Sequence, residues 1–152
     1  MIERDVNKIF NEIMPIIMNM LKIELDRDSD FLKKYSGLNR DVVILALKDS
    51  FFLCLAMVGG ERCKLEQADK QIALKIGKGE KHEVQLAREP LDSKIDDMVR
   101  DGTEPLAIAY ALVGAITAIA GSHPDINNQT VDEINYSLLE QINIVKDTSN
   151  MP

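Results

Sequence analysis

The chain contains no tryptophan, and its other aromatic residues are three tyrosines and four phenylalanines among 152 residues. β-Sheets are enriched in aromatic and β-branched side chains, so this scarcity argues against a sheet protein. Cysteine is scarce as well, with Cys54 in an apolar stretch and Cys63 in a polar one. Two cysteines placed in this way do not indicate a disulfide framework. Methionine, alanine, leucine and isoleucine are plentiful instead, a composition that favours helices.

Basic residues are scarce in the last third of the chain. Residues 103–152 contain six acidic residues and a single basic one, Lys146, and the whole chain has a net charge of −7. A negative field disfavours nucleic-acid phosphates and anionic lipids, and it favours cations or a basic protein surface. The same charge also serves solubility on an ordinary solvated surface. We therefore expect a basic protein partner, and neither nucleic acid nor a membrane.

Catalytic signatures are missing. The sequence has no Glu-x-x-His or His-Glu-x-x-His pair for a metal centre, no Gly-x-Ser-x-Gly turn for a serine nucleophile and no glycine-rich phosphate motif. The opening residues, MIERDVNKIF, mix both charges and do not read as a secretory signal. These features predict a cytoplasmic protein that is not an enzyme and needs no cofactor.

An apolar run of sixteen residues without one charge extends from Leu106 to Gly121, LAIAYALVGAITAIAG. At 3.6 residues per turn its smallest residues share one narrow face and four large ones share another. The small face consists of Ala107, Ala111, Gly114, Ala118 and Gly121, and the bulky face of Ile108, Leu112, Ile116 and Ile119. A helix that is apolar on all sides is buried on all sides, and its small face allows another backbone to approach closely. Because a bilayer span needs about 20 residues, we predict the buried centre of a bundle.

Apolar residues spaced by three and four predict further helices on both sides of this run. The predicted segments are a helix to about 25 with a kink or break at Pro15, a short helix ending at Gly37, a helix over 40–58 capped by Asn39, one over 65–76, and one over 90–101 that begins at Pro90. Residues 77–89 are polar and predict a mobile connector. A capping box, Thr130 to Glu133, predicts the start of the last helix.

The predicted fold class is therefore all-α, a compact single-domain bundle of six or seven helices around a buried central helix at about 106–121. Residues 1–147 form the predicted domain, and residues 148–152 form a short polar tail.

Lys48, Asp49 and Ser50 interrupt two apolar runs of one predicted helix. An unpaired buried charge is costly, so these side chains need partners. The favoured interpretation is that Lys48 and Asp49 reach the helix edge and form ion pairs, because the long lysine stem carries its ammonium group to water. The alternative is a polar site in a helical groove, where Lys48 or Asp49 faces a ligand.

Acidic side chains cluster on two of the predicted helices. Asp92, Asp96 and Asp97 lie with Asp101 on the helix over 90–101, and Asp132 and Glu133 lie near the start of the last helix. Their spacing does not match a calcium-binding EF-hand loop. A solvated helix face is one interpretation, and a partner-binding surface is the other. His123 and Asp125 could offer a nitrogen and a carboxylate to a metal, but a surface histidine is the favoured interpretation of His123.

Two stretches, AMVGGERCKLEQADKQIAL (56–74) and AIAGSHPDINNQTVDEI (118–134), resemble the helical domains of tellurite-resistance TerB proteins. The resemblance covers less than a third of the chain. Units of that family carry an Ala-Asp-Gly turn followed by acidic residues. In this chain, Gly59-Gly60-Glu61 and Gly121-Ser122-His123 stand where that family has Asp-Gly. The chain therefore lacks the pattern that a metal-binding role of that family would require.

From the sequence we expect a non-catalytic helical binding protein, such as an adaptor, inhibitor or immunity-type protein. It would engage a basic protein partner through Asp92, Asp96, Asp97, Asp132 and Glu133. The alternative is a small-ligand or metal-dependent helical protein, distantly TerB-like, with a site near Lys48 and Asp49 or near His123. A homodimer that buries the small face of the central helix is a further alternative.

Overall fold

The computed structural model of the chain describes residues 2–25, 40–77, 79–123 and 125–149. Six helices and no strand occur in these ranges, so the predicted all-α bundle is confirmed. The helices are α1 (Ile2–Leu25), α2 (Arg40–Val58), α3 (Arg62–Ile76), α4 (Lys81–Arg100), α5 (Pro105–Ser122) and α6 (Asn128–Ser149). The predicted short helix before Gly37 and the cap at Asn39 lie outside the described residues.

Two helices, α2 and α5, share the centre of the bundle and make its most extensive contact. Twelve of the 19 residues of α2 are buried, including Phe51 and Leu55. Neither helix has a single apolar stripe, because each is surrounded by neighbours and buries side chains on several sides. The predicted central helix is thus one member of a central pair.

The other four helices form two flanks around this pair. On one flank α1 packs against α5 and α4, and α4 packs against α2. On the other flank α6 packs against α5 and α3, and α3 packs against α2. The buried apolar side chains of all six helices join in one core.

The faces of α5 only partly match the prediction. All four residues of the bulky face are buried, and so are Ala107 and Ala111 of the small face. Ala118 and Gly121 are exposed, however, and Gly114 is half-buried beneath the ring of Phe10. A helix buried on all sides was therefore the wrong expectation for the last turns of α5. The homodimer that would cover this end stays a prediction.

By length and composition alone, α5 would be able to cross a membrane. The bundle buries 56% of its residues, as expected for a core helix.

Both prolines expected at helix breaks lie inside continuous helices. Pro15 lies within α1, so the predicted break was wrong, and the kink that was its alternative stays a prediction. Pro90 lies in the middle of α4, so the helix start at Pro90 and the connector over residues 81–89 were wrong. A proline leaves the carbonyl four residues earlier without its hydrogen bond. Since Pro15 and Pro90 are both exposed, water can take the place of the missing donor.

The start of α6 also differs from the prediction. Asn127 is the capping residue, and its side-chain oxygen accepts a hydrogen bond of 2.8 Å from the backbone N–H of Thr130. The helix therefore begins at Asn128 rather than after Thr130. Its core residues Ile134, Leu138, Ile142 and Val145 are buried as predicted.

Candidate functional site

The polar interruption of α2 forms a buried ion-pair cluster with α3. Lys48 is only 5% exposed, and its ammonium group contacts the carboxylates of Asp69 on α3 and, at 2.8 Å, Asp49. The ion pairs follow the favoured interpretation, with the lysine side chain 6% exposed and the two carboxylates 27% and 34% exposed. Two carboxylates share one ammonium group, so this cluster keeps one negative charge in excess.

A second polar cluster joins α2 to α4. The hydroxyl of Ser50, which is fully buried, donates a hydrogen bond of 2.8 Å to Asp92 Oδ1. The other oxygen of Asp92 accepts a contact of 3.0 Å from Arg88 Nη2. Asp92 is thus held by two partners and only about one-third exposed, which corrects its assignment to an exposed acidic face.

Arg88 and Asp49 line two adjoining cavities on this side of the bundle. The larger, of about 730 Å³, lies between α2, α3 and α4, and the smaller, of about 260 Å³, lies between α2 and α4. Within the described residues, the Nε atom of Arg88 is buried without a hydrogen-bond partner. The polar groups of α2 therefore face a recess in the surface and not a closed core.

Cys54 lies beside the second cluster. Burial, together with the negative charge of Asp92, raises the pKa of its thiol from 9.0 to about 12. A thiol of this kind stays protonated and is a weak nucleophile. Cys54, which lies in an apolar stretch of the sequence, is buried, and Cys63, which lies in a polar one, is exposed.

A separate acidic groove of about 620 Å³ lies between α1, the other end of α4 and the segment that leads into α5. Its acidic lining residues are Asp5 and Glu12 of α1, Asp97 and Asp101 at the end of α4, and Glu104 before α5. Two lysines, Lys8 and Lys94, also line it. The groove brings the predicted residue Asp97 together with carboxylates of a helix far away in the sequence.

The remaining predicted partner-binding residues are exposed but are not gathered in this groove. Asp96 forms an ion pair of 2.9 Å with Arg100 on the same helix. Asp132 and Glu133 lie on α6, on the other flank of the bundle, where Glu133 is 3.9 Å from Lys75. The predicted acidic residues thus occupy two separate surfaces.

His123 connects the end of α5 to the start of α2. Its Nε2 atom lies 2.5 Å from Asp41 Oδ1, and its Nδ1 atom accepts a hydrogen bond of 3.0 Å from the N–H of Asp125. Because Nδ1 accepts, Nε2 carries the proton and donates to Asp41. Both ring nitrogens already have partners, so a metal would have to displace one of them. The described residues contain no group of three or more potential ligands that could hold a metal.

Sequence reasoning missed Asp69 and Arg88. Asp69 is four residues after Leu65 and three before Ile72, so it lies on the buried stripe of α3. Arg88 is three residues before Leu91, at the edge of the stripe of α4. Charged residues in such positions are a signal that could have matched Asp69 to Lys48 and Arg88 to Asp92. Asp5 and Glu12 carried no comparable signal, since they are exposed residues of an amphipathic helix.

No family model, curated protein or solved structure matches the chain. The resemblance to TerB domains therefore rests on the two sequence stretches alone.

Proposed function

We propose that this protein is a non-catalytic binding protein whose acidic groove between α1 and α4 receives a basic segment of another protein. The observation that carries this proposal is the gathering of five carboxylates, with only two lysines, around one cavity of about 620 Å³. The net charge of −7 adds to the attraction at longer range. An adaptor, inhibitor or immunity-type protein would use such a surface.

The groove fits a basic side chain better than a neutral one. Asp97, Asp101 and Glu104 are exposed, so the groove keeps its charge without burying an unpaired group. Charged groups at the rim of an interface mainly accelerate association and select the partner, and their contribution falls with added salt. The partner should therefore bind quickly and lose affinity as the salt concentration rises.

The proposal is tested by titrating the protein with a short synthetic peptide of lysine and alanine and following binding by fluorescence anisotropy. We expect Asp97→Asn with Asp101→Asn to weaken binding roughly fivefold, because two exposed ion pairs contribute about 1 kcal/mol together. The matched control is Asp132→Asn with Glu133→Gln, which removes the same charge from the other flank.

Equal losses in both variants would show attraction to net charge alone and would contradict a specific groove. A larger loss in the α6 variant would place the partner surface at Asp132 and Glu133 instead. Binding that is insensitive to salt would contradict the electrostatic basis of the proposal.

A further inference from the structure

The larger cavity beside the polar clusters has the features of a small-molecule site. Its volume of about 730 Å³ falls in the range of about 300–1,000 Å³ that is usual for ligand pockets. Phe52 and Leu65, which are each 8% exposed, line it with Leu53 and Ala56. We call this recess between α2, α3 and α4 the ligand groove.

Five charged side chains line the ligand groove. Arg62 and Glu66 pair with each other at 3.1 Å on its exposed rim, whereas Asp49 and Arg88 carry opposite charges and do not pair with each other. Asp49 is paired with Lys48, whose ammonium group is shared with Asp69. Arg88 is paired with Asp92 through Nη2 alone. Among the described residues, no ion pair joins Asp49 to Arg88, although both line the ligand groove and the smaller cavity next to it.

These two groups favour ligand groups of opposite charge. The carboxylates around Lys48 keep one negative charge in excess and attract a cation. The Arg88 guanidinium lines both cavities, its side chain is 28% exposed, and its ion pair uses Nη2. Its other terminal N–H groups can therefore donate to an incoming oxygen. Lys81 and Gln85 line the smaller cavity beside Arg88 and add donors on the same side.

We propose that the ligand groove binds a small zwitterion with an apolar side chain, of the class of the apolar α-amino acids. The ammonium group lies toward Asp49, the carboxylate lies toward Arg88, and the side chain packs on Phe52. A simple anion would meet Asp49 and Asp69, and a simple cation would meet Arg88. Only a ligand that carries both charges satisfies both sides. This proposal concerns a site separate from the acidic groove and does not depend on it.

The first experiment is isothermal titration calorimetry of the dialysed protein with four probes: L-leucine, its methyl ester, N-acetyl-L-leucine and glycine. The ester lacks the carboxylate, the acetylated form lacks the ammonium group, and glycine lacks the side chain. We expect L-leucine to bind, and each of the other probes to bind at least about tenfold more weakly, because each loses a charged hydrogen bond or the apolar contact. Absence of leucine binding would overturn the proposal. Equal binding of leucine and its ester would overturn the role of Arg88.

The second experiment tests where the probe binds. Ala56→Trp fills the ligand groove from an exposed position on α2 and should abolish leucine binding. Met57→Trp adds the same ring at the neighbouring exposed position, which does not line the groove, and should leave binding unchanged. Melting temperatures of both variants establish that they are folded.

Chemical-shift mapping on the unaltered protein keeps the test independent of these substitutions. Addition of L-leucine should shift the backbone amides of Leu53, Leu65 and Arg88 and leave those of Asp97 and Asp101 in place. Shifts concentrated at Asp97 and Asp101, or loss of binding in both tryptophan variants, would overturn the location in the ligand groove.

Discussion

Replacing Gly114 with alanine should stabilise the protein. Gly114 lies in the middle of α5, where a glycine costs about 0.8–1.0 kcal/mol relative to alanine because it loses more backbone freedom on folding. An added Cβ atom would lie 3.5 Å from Cδ2 and 3.6 Å from Cε2 of Phe10, which is ordinary van der Waals contact. The structure therefore has room for the methyl group.

The expected gain is worked from two contributions. Helix propensity supplies about 0.8–1.0 kcal/mol. A buried methyl group supplies up to about 0.8 kcal/mol more, and the half-buried position of Gly114 reduces this share. The free energy of unfolding should rise by about 1–1.5 kcal/mol, and the melting temperature of a chain of this length by roughly 3–5 °C.

Urea unfolding followed by circular dichroism measures this change in the free energy of unfolding. An unchanged m-value, the slope of this free energy against urea concentration, would indicate an unchanged fold. Gly121→Ala is the first control: nothing lies within 4 Å of its Cβ position, so only a small propensity gain is expected near the end of the helix. Gly77→Ala is the second control and should destabilise, because Gly77 has a φ of 137° and its Cβ would lie 3.1 Å from Asp41 Oδ2. A loss of stability in Gly114→Ala would refute this reasoning. It would indicate instead that another backbone lies close to the small face of α5.

Three further perturbations test the polar groups and the cap. Lys48→Met should lower the free energy of unfolding by about 1–3 kcal/mol. This is less than for a fully buried pair, because Asp49 and Asp69 are 27% and 34% exposed. In a double-mutant cycle with Asp69→Asn, the losses of the two single variants should not add. Asn127→Ala should lower the free energy of unfolding, measured in urea, by about 1 kcal/mol. A larger loss in Thr130→Ala would instead indicate that Thr130 is the capping residue. The Cys54 thiol keeps its proton in the folded protein up to a pKa of about 12 and loses it near 9.0 when unfolded. The thiol should therefore leave the free energy of unfolding unchanged below pH 9.0 and lower it by up to about 1.4 kcal/mol per pH unit above pH 9.0. Cys54→Ala should remove this part of the pH dependence. If the free energy of unfolding of the two proteins falls in parallel with pH, the raised pKa is contradicted.

Periodicity predicted most of the helices well, because burial of apolar side chains determines where a helix must exist. The ends at Val58 and Ile76 follow from the glycines after them, and the start of α5 follows from Pro105. Pro90 inside α4 was misread as a helix start, and a break was one of the two expectations at Pro15 inside α1. A sequence shows that proline removes a hydrogen bond, but it does not show whether the freed carbonyl faces water.

For the functional residues as well, the sequence pattern showed local features and did not show which helices pack together. The need of Lys48 and Ser50 for partners was visible, since charged and polar groups interrupt an apolar helix. Their partners, Asp69 for Lys48 and Asp92 for Ser50, were not identified, because periodicity gives the face of each helix and not which helices are neighbours. Asp92 was placed on the exposed side for the same reason. The acidic groove depends on the packing of α1 beside α4, which no local pattern encodes.

The ion pairs of Lys48 also restrict how the helices can slide past one another. Apolar side chains tolerate alternative packings of similar volume, so a bundle rich in alanine, leucine and isoleucine has several near-equivalent alignments of α3 on α2. Moving α3 by one helical turn, about 5.4 Å, would take Asp69 away from Lys48 and leave Asp49 as its partner. The apolar contacts would survive such a slip, but Asp69 would lose its ion pair and the buried ammonium group would lose one of its two carboxylate partners. The cluster thus selects one alignment of the bundle, and the shape of the ligand groove beside it is set by that choice.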